Sequence, residues 1–131
     1  MVIDASIAVQ WFVPEPGSDV ATLVLRTDAV LLAPDIMLVE ATNAWWKKSR
    51  RGEMSAEQVE RAMARLLAVG IDLIPSALLL TRAVRLAFEL DHALYDCVYL
   101  ALATRQGARL ATADGRLRRS AERVAVPLWR P

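Results

Sequence analysis

Four acids in this chain stand in apolar settings: Asp4, Glu40, Asp96 and Asp114. Asp96 is the least ordinary. It lies between Tyr95 and the run Cys97 to Ala103, where an ionised carboxylate is costly unless it is paired or metal-bound. Asp4 closes the opening run MVID, Asp114 follows the short run Arg109 to Thr112, and Glu40 shares a helical face with Ile36, Asn43 and Ala44. Brought together, four carboxylates repel one another and raise some of their own pKa values, whereas a hard divalent cation neutralises them. Ligands that are all oxygen select Mg²⁺ or Mn²⁺ over zinc or copper. Such a cation can bind a phosphate oxygen and activate a water for attack at phosphorus. Each acid also has an ordinary reading. Asp4 and Asp114 suit helix N-caps after strands, Glu40 suits a pair with Lys47 or a solvated edge, and Asp96 suits an awkward core position.

The elements that must position these acids alternate along the chain. Met1 to Asp4 reads as a buried strand, followed by a short helix from Ala5 to Val13 and a second from Gly17 to about Arg26, separated by Pro14 and Pro16. Val30 to Ala33 reads as the next strand, and Pro34-Asp35 starts a helix that Gly52 stops. Ser55 as N-cap with Gln58 in the capping-box position opens an amphipathic helix to about Ala68. Ile71 to Ile74 is a third strand, Ala77 to about Leu90 a long helix, and Asp91 a cap for a helix running to about Gln106. Arg109 to Thr112 is a fourth strand, Asp114 to about Ala121 a basic helix, and Val124 to Leu128 a last strand. The alternation predicts an α/β fold, a three-layer α/β/α sandwich around a mostly parallel sheet of about five strands. In such a sheet the strand C-termini share one edge, where sites form. Asp4 and Asp114 belong to that edge, and Glu40 and Asp96 reach it from covering helices.

Totals narrow the function classes. The 131 residues predict one domain with a substantial core, and 55% hydrophobic with 24% charged residues argues against disorder. The net charge of +1 conceals an asymmetry: residues 1–46 balance to −5 and residues 105–131 to +5. An acidic cluster beside an arginine-rich rim suits a metal next to a polyanion, and Arg116, Arg118 and Arg119 are the candidates to hold the phosphates of such a polyanion or to form a solvated basic face. Cys97 is the only cysteine, so no intrachain disulfide forms. It lies five residues from His92, the only histidine, and the two do not share a helical face, which sets aside a thiol nucleophile and its base. The start at Met1 is interrupted by Asp4 and has no basic leader, and no apolar run reaches a membrane span, so a soluble cytoplasmic protein is expected.

In order, Asp4-Ala5-Ser6 after an opening strand, Glu40 with Asn43 on a helix, Tyr95-Asp96 followed by Tyr99-Leu100-Ala101-Leu102-Ala103, and Thr112-Ala113-Asp114 closing a strand resemble the PIN-domain family. More closely, the chain is similar to the VapC-type toxins of bacterial toxin–antitoxin pairs. The resemblance covers essentially the whole chain. It implies a Mg²⁺- or Mn²⁺-dependent ribonuclease, a homodimer, and a VapB-like antitoxin that blocks the site. By position it implies that Asp4, Glu40, Asp96 and Asp114 form the acidic metal site, that Ser6 and Thr112 support it as hydroxyls, and that Asn43 orients Glu40 or a water. Three other classes compete: a PIN-like binding module that has lost catalysis, a phosphoacceptor receiver domain with its own acids around Mg²⁺, and a structure-specific DNA nuclease. The third strand ends at Ile74-Pro75 rather than on an acid, and Lys47 and Lys48 are the only lysines, which disfavours the receiver. No added arch or helix-hairpin-helix region is present to hold a duplex.

Overall fold

In the computed structural model, which describes residues 1–131, four short strands alternate with seven α-helices. The elements are β1 (Val2–Ile3), α1 (Ala5–Gln10), α2 (Ser18–Val24), β2 (Leu32–Pro34), α3 (Ile36–Arg50), α4 (Ala56–Leu67), β3 (Asp72–Ile74), α5 (Leu80–Leu90), α6 (Leu94–Gln106), β4 (Leu110–Ala111) and α7 (Gly115–Arg123). A single 3₁₀ turn, Ser76–Leu78, precedes α5 where a continuous helix was expected from Ala77. The sheet order is β3-β2-β1-β4, and every pairing is parallel. That order differs from the 2-1-3-4-5 arrangement of receiver domains. It also places the reversal of strand order between β1 and β4, so the crevice at the C-terminal ends of these two strands is the position where such sheets bind ligands.

Side-chain alternation explains why both faces of the sheet are covered. Val2 and Leu110 join a cluster of 25 buried residues with α3, α5, α6 and α7, while their neighbours Ile3 and Ala111 join Ile7, Ala21 and Val24 on the other side. Helix α6 runs through the larger cluster, and every residue from Cys97 to Ala103 is buried. A helix that is apolar all round belongs inside. Trp45 on α3 is fully buried, stacks edge-on against Phe12 at 6.0 Å, and donates Nε1–H to the carbonyl of Val9 at 3.3 Å. Its neighbour Trp46 faces outward.

Two expectations fail for local reasons. The expected fifth strand, Val124 to Leu128, contributes only a parallel bridge from Leu128 to Leu110. The N–H groups of Val124 and Val126 turn back to the carbonyl of Ala121, and Ala125 sits at φ 56°, so this segment first finishes α7. Asp91 does not cap the following helix; at φ 49° it closes α5, and Ala93 takes the N-cap position of α6. Asp tolerates the left-handed region better than most residues, which explains the switch. The capping box at Ser55 and Gln58 forms with both of its hydrogen bonds. No helix is long and apolar enough to cross a membrane.

Candidate active site

The C-terminal ends of β1 and β4 meet at a small network of hydroxyls. Asp4 follows β1 and holds the N-cap position of α1, but its side chain does not cap that helix. Instead its Oδ2 accepts hydrogen bonds from Ser6 Oγ at 2.5 Å and Thr112 Oγ1 at 2.7 Å. Ser6 Oγ in turn accepts from the N–H of Ala113 at 2.9 Å, and Thr112 Oγ1 accepts from the N–H of Asp114 at 3.0 Å. The two hydroxyls therefore tie the start of α1 to the turn leaving β4. Asp4 is 5% exposed, and burial pushes its carboxyl above the ordinary range; the two hydroxyl hydrogen bonds pull it back, and the charge of Asp96 pushes it further up.

The other three acids are each anchored through one oxygen. Glu40, on α3, accepts from Tyr99 Oη of α6 at 3.0 Å rather than pairing with Lys47. Burial, and then the charges of Asp4 and Asp96, raise the Glu40 carboxyl, while the Tyr99 hydrogen bond lowers it. Asp96, in the first turn of α6, has His92 Nε2 2.5 Å from its Oδ2. It lies at the mouth of the site, with 26% of its side chain exposed, just ahead of the continuously buried part of α6. Asp114 caps α7, its Oδ1 accepting from the N–H groups of Arg116 and Leu117 at 2.6 and 3.1 Å. The N-cap reading of Asp114 and its place at the site are therefore compatible.

Asp4, Glu40, Asp96 and Asp114 line one cleft of about 540 Å³ together with Ser6. Each carboxylate has one oxygen fixed by a protein donor and a second with no protein hydrogen-bond partner. No three His, Cys, Asp or Glu side chains form a ready-made ligand sphere. The donor set nevertheless fits a hard cation: four carboxylates at one cleft, with free oxygens and two of their carboxyls raised by burial and, after it, by their neighbours' charges.

Other expected site residues fall outside this arrangement. Asn43 is exposed and makes no hydrogen bond to Glu40; it lines a separate apolar groove with Leu38, Val39, Trp46, Met63 and Leu67. Three residues on, Asn43 is turned about 60° around α3 from Glu40, which puts it on the side of the groove rather than of the cleft. Arg116, Arg118 and Arg119 do not line the cleft, and Arg118 is engaged with the carbonyl of Thr112 at 3.0 Å. The cations that do line it are Lys47, Lys48 and Arg51 at the end of α3. Lys48 pairs with Glu15 at 2.7 Å, and Arg51 with Glu53 at 2.8 Å. In the sequence Tyr99 stands only among the apolar neighbours of Asp96 and in the family pattern, and His92 only beside Cys97. For His92 the available signal is its position four residues before Asp96; Tyr99, which meets an acid on a different helix, gives none. Cys97 itself is buried, with its thiol pushed up to about 11 by burial and then by Asp96, so it is no nucleophile at neutral pH.

Comparison with known proteins gives the chain its family and its fold. A family model described as PIN domain matches residues 1–123. Ribonuclease VapC3 of Pyrobaculum aerophilum is 28% identical over 129 residues, spanning 97% of this chain and 98% of that protein. The crystal structure of Mycobacterium tuberculosis VapC20, described as a sarcin-ricin loop cleaving toxin, matches 99% of this chain and 98% of its own at a TM-score of 0.77 and 16% identity. That of PAE2754 from Pyrobaculum aerophilum matches 91% and 77% at a TM-score of 0.71 and 23% identity. At these identities the two structures speak for the fold.

Proposed function

We propose that this chain, which belongs to the PIN-domain family, is a Mg²⁺- or Mn²⁺-dependent endoribonuclease and the toxin of a VapBC-type pair, acting as a single domain over residues 1–131. One observation carries the reading: four carboxylates reach one cleft beside the β1–β4 crevice, each with one oxygen held and one free. The match to Ribonuclease VapC3 supports RNA as the substrate. Asp4, Asp96 and Asp114 would hold the cation, and Glu40 would complete the acidic set.

When bound, the cation supplies Lewis-acid polarisation of the phosphodiester and activation of the attacking water. The chain supplies position. Ser6 and Thr112 keep Asp4 from turning away from the cleft, and Tyr99 does the same for Glu40. Glu40, with its raised pKa, is suited to accept a proton from the attacking water. Lys47 on the cleft rim offers its ammonium to a phosphate of the RNA.

Two apolar surfaces support the proposed partners. The groove of Leu38, Val39, Trp46, Met63, Leu66 and Leu67 between α3 and α4 suits an apolar helix of a VapB-like antitoxin. The outward face of α5, with Leu80, Val84 and Phe88 exposed, suits a homodimer. A cytoplasmic location follows from the proposed RNA substrate.

The test is a metal-titrated cleavage assay on total cellular RNA, with sequencing of the new ends, for the parent and Asp96→Asn. The parent should generate defined ends only when Mg²⁺ or Mn²⁺ is added. Asp96→Asn should cut about a hundredfold more slowly or worse, at the upper end of what losing a mere supporting group costs. It should remain folded, since Asn still accepts from His92 and the charge that raises Asp4 and Glu40 is gone. Equal rates for the two proteins at equal Mg²⁺ would sink the mechanism.

A further inference from the structure

The four acids differ in what holds them. Asp4 is gripped by two hydroxyls, Glu40 by a phenol and Asp114 by two backbone N–H groups, whereas Asp96 is held by the imidazole of His92 alone. The imidazole is itself well fixed. Asp91 adopts the left-handed conformation that ends α5, the N–H of His92 donates to the carbonyl of Ala87 at 3.1 Å, and the His92 side chain is only 7% exposed. The connection between α5 and α6 is thus a rigid bracket with the imidazole pointing one turn forward.

Its effect follows from where Asp96 sits. Ala93 is the N-cap of α6 and has no side chain to satisfy the free N–H groups there, which makes Asp96 the third residue of the helix. In a capping box the acid or amide at that position reaches back to the N-cap backbone N–H. A carboxylate so engaged would be occupied by the helix's own backbone. In the structure the carboxylate instead meets Nε2 of His92 through Oδ2, and Oδ1 keeps no protein partner.

We propose that His92 is a positioning residue for Asp96, donating Nε2–H to one carboxylate oxygen so that the other is presented to the divalent cation. This rests on reading the four acids as a metal site. It assigns His92 no contact with RNA or with the reacting atoms.

Calorimetric titration of Mn²⁺ into the RNA-free, full-length chain separates the possibilities, using the parent, Asp96→Asn, His92→Gln, His92→Asn and His92→Phe. Gln places an amide N–H where Nε2 stands, Asn carries the same group one bond short, and Phe fills the space without a donor. His92→Gln should bind Mn²⁺ nearly as tightly as the parent, and His92→Asn and His92→Phe about tenfold or more weakly. Cleavage by these two should recover as Mn²⁺ is raised, whereas Asp96→Asn should not recover. Thermal melts of the metal-free proteins report folding, and if one of His92→Asn and His92→Phe unfolds, the other decides. Parent-like affinity in these two variants overturns the assignment, as does a His92→Gln protein as weak as His92→Asn. A parent that binds no more Mn²⁺ than Asp96→Asn overturns the metal site itself, and the role of His92 with it.

Discussion

Glu40 and Asp4 carry the clearest electrostatic marks in the cleft. Both carboxyls lie above their ordinary range, chiefly because burial disfavours the charged form, and their neighbours' charges add to this. A carboxyl whose pKa is raised by folding binds its proton more tightly in the folded state than in the unfolded chain. Its contribution to stability is therefore best at low pH and declines as pH rises from the ordinary carboxylate range through the raised value, after which the loss is complete. Glu40→Gln removes one of these groups while keeping an oxygen to accept from Tyr99 Oη. In urea titrations with chelator present, it should be more stable than the parent at neutral pH, and the difference should shrink as pH falls through the carboxylate range. A parent advantage at neutral pH would contradict this account. At this scale the acids were legible because apolar surroundings made them conspicuous. Their holders were not: Tyr99 meets an acid on a different helix, and His92 sits in the connection before α6, where its spacing from Asp96 does not say which way the ring turns.

At the scale of elements, α7 shows how one residue serves two ends. Asp114 supplies the two hydrogen bonds that start the helix and stands on the cleft. The roles separate by substitution. Asp114→Ala should lose about 1 kcal/mol of stability with the cap, and cleavage as well. Asp114→Asn keeps an accepting oxygen, so its unfolding midpoint should stay near the parent's while cleavage still falls. Equal stability of the Ala and Asn variants would show that the cap contributes little. Helix positions were readable from such end signals, as the completed capping box at Ser55 illustrates. They were misread where one signal serves both ends: Asp91 reads as an N-cap but closes α5, and the apolar run from Val124 looks extended but first completes α7.

For the whole molecule, α5 is apolar on two sides. Ala83, Leu86 and Leu90 are buried, whereas Leu80, Val84 and Phe88 form an outward row with Phe88 87% exposed. A surface helix of a monomer needs only one such stripe. The proposed homodimer would cover the second. Phe88→Glu should then lower the mass measured by light scattering from dimer to monomer while leaving the thermal midpoint of the monomer close to that of the parent chain at high dilution. A parent already monomeric at micromolar concentration would remove the dimer from the proposal.

Alternation of strand and helix signals was enough to predict a parallel α/β fold, because the periods 2.0 and 3.6 and the capping residues are local properties of the chain. The acids were picked out on the same ground, through the cost of a carboxylate among apolar neighbours. Which strands adjoin was not local. The order β3-β2-β1-β4, which sets β4 beside β1 and brings Thr112 to Asp4 across 108 positions, depends on packing on both faces of the sheet. Only that packing decided that Tyr99 meets Glu40, that Asn43 faces the apolar groove, and that the cleft is rimmed by lysines of α3 rather than by the arginines of α7. Side chains from distant segments meet by the way elements stack, and a one-dimensional pattern does not encode that stacking.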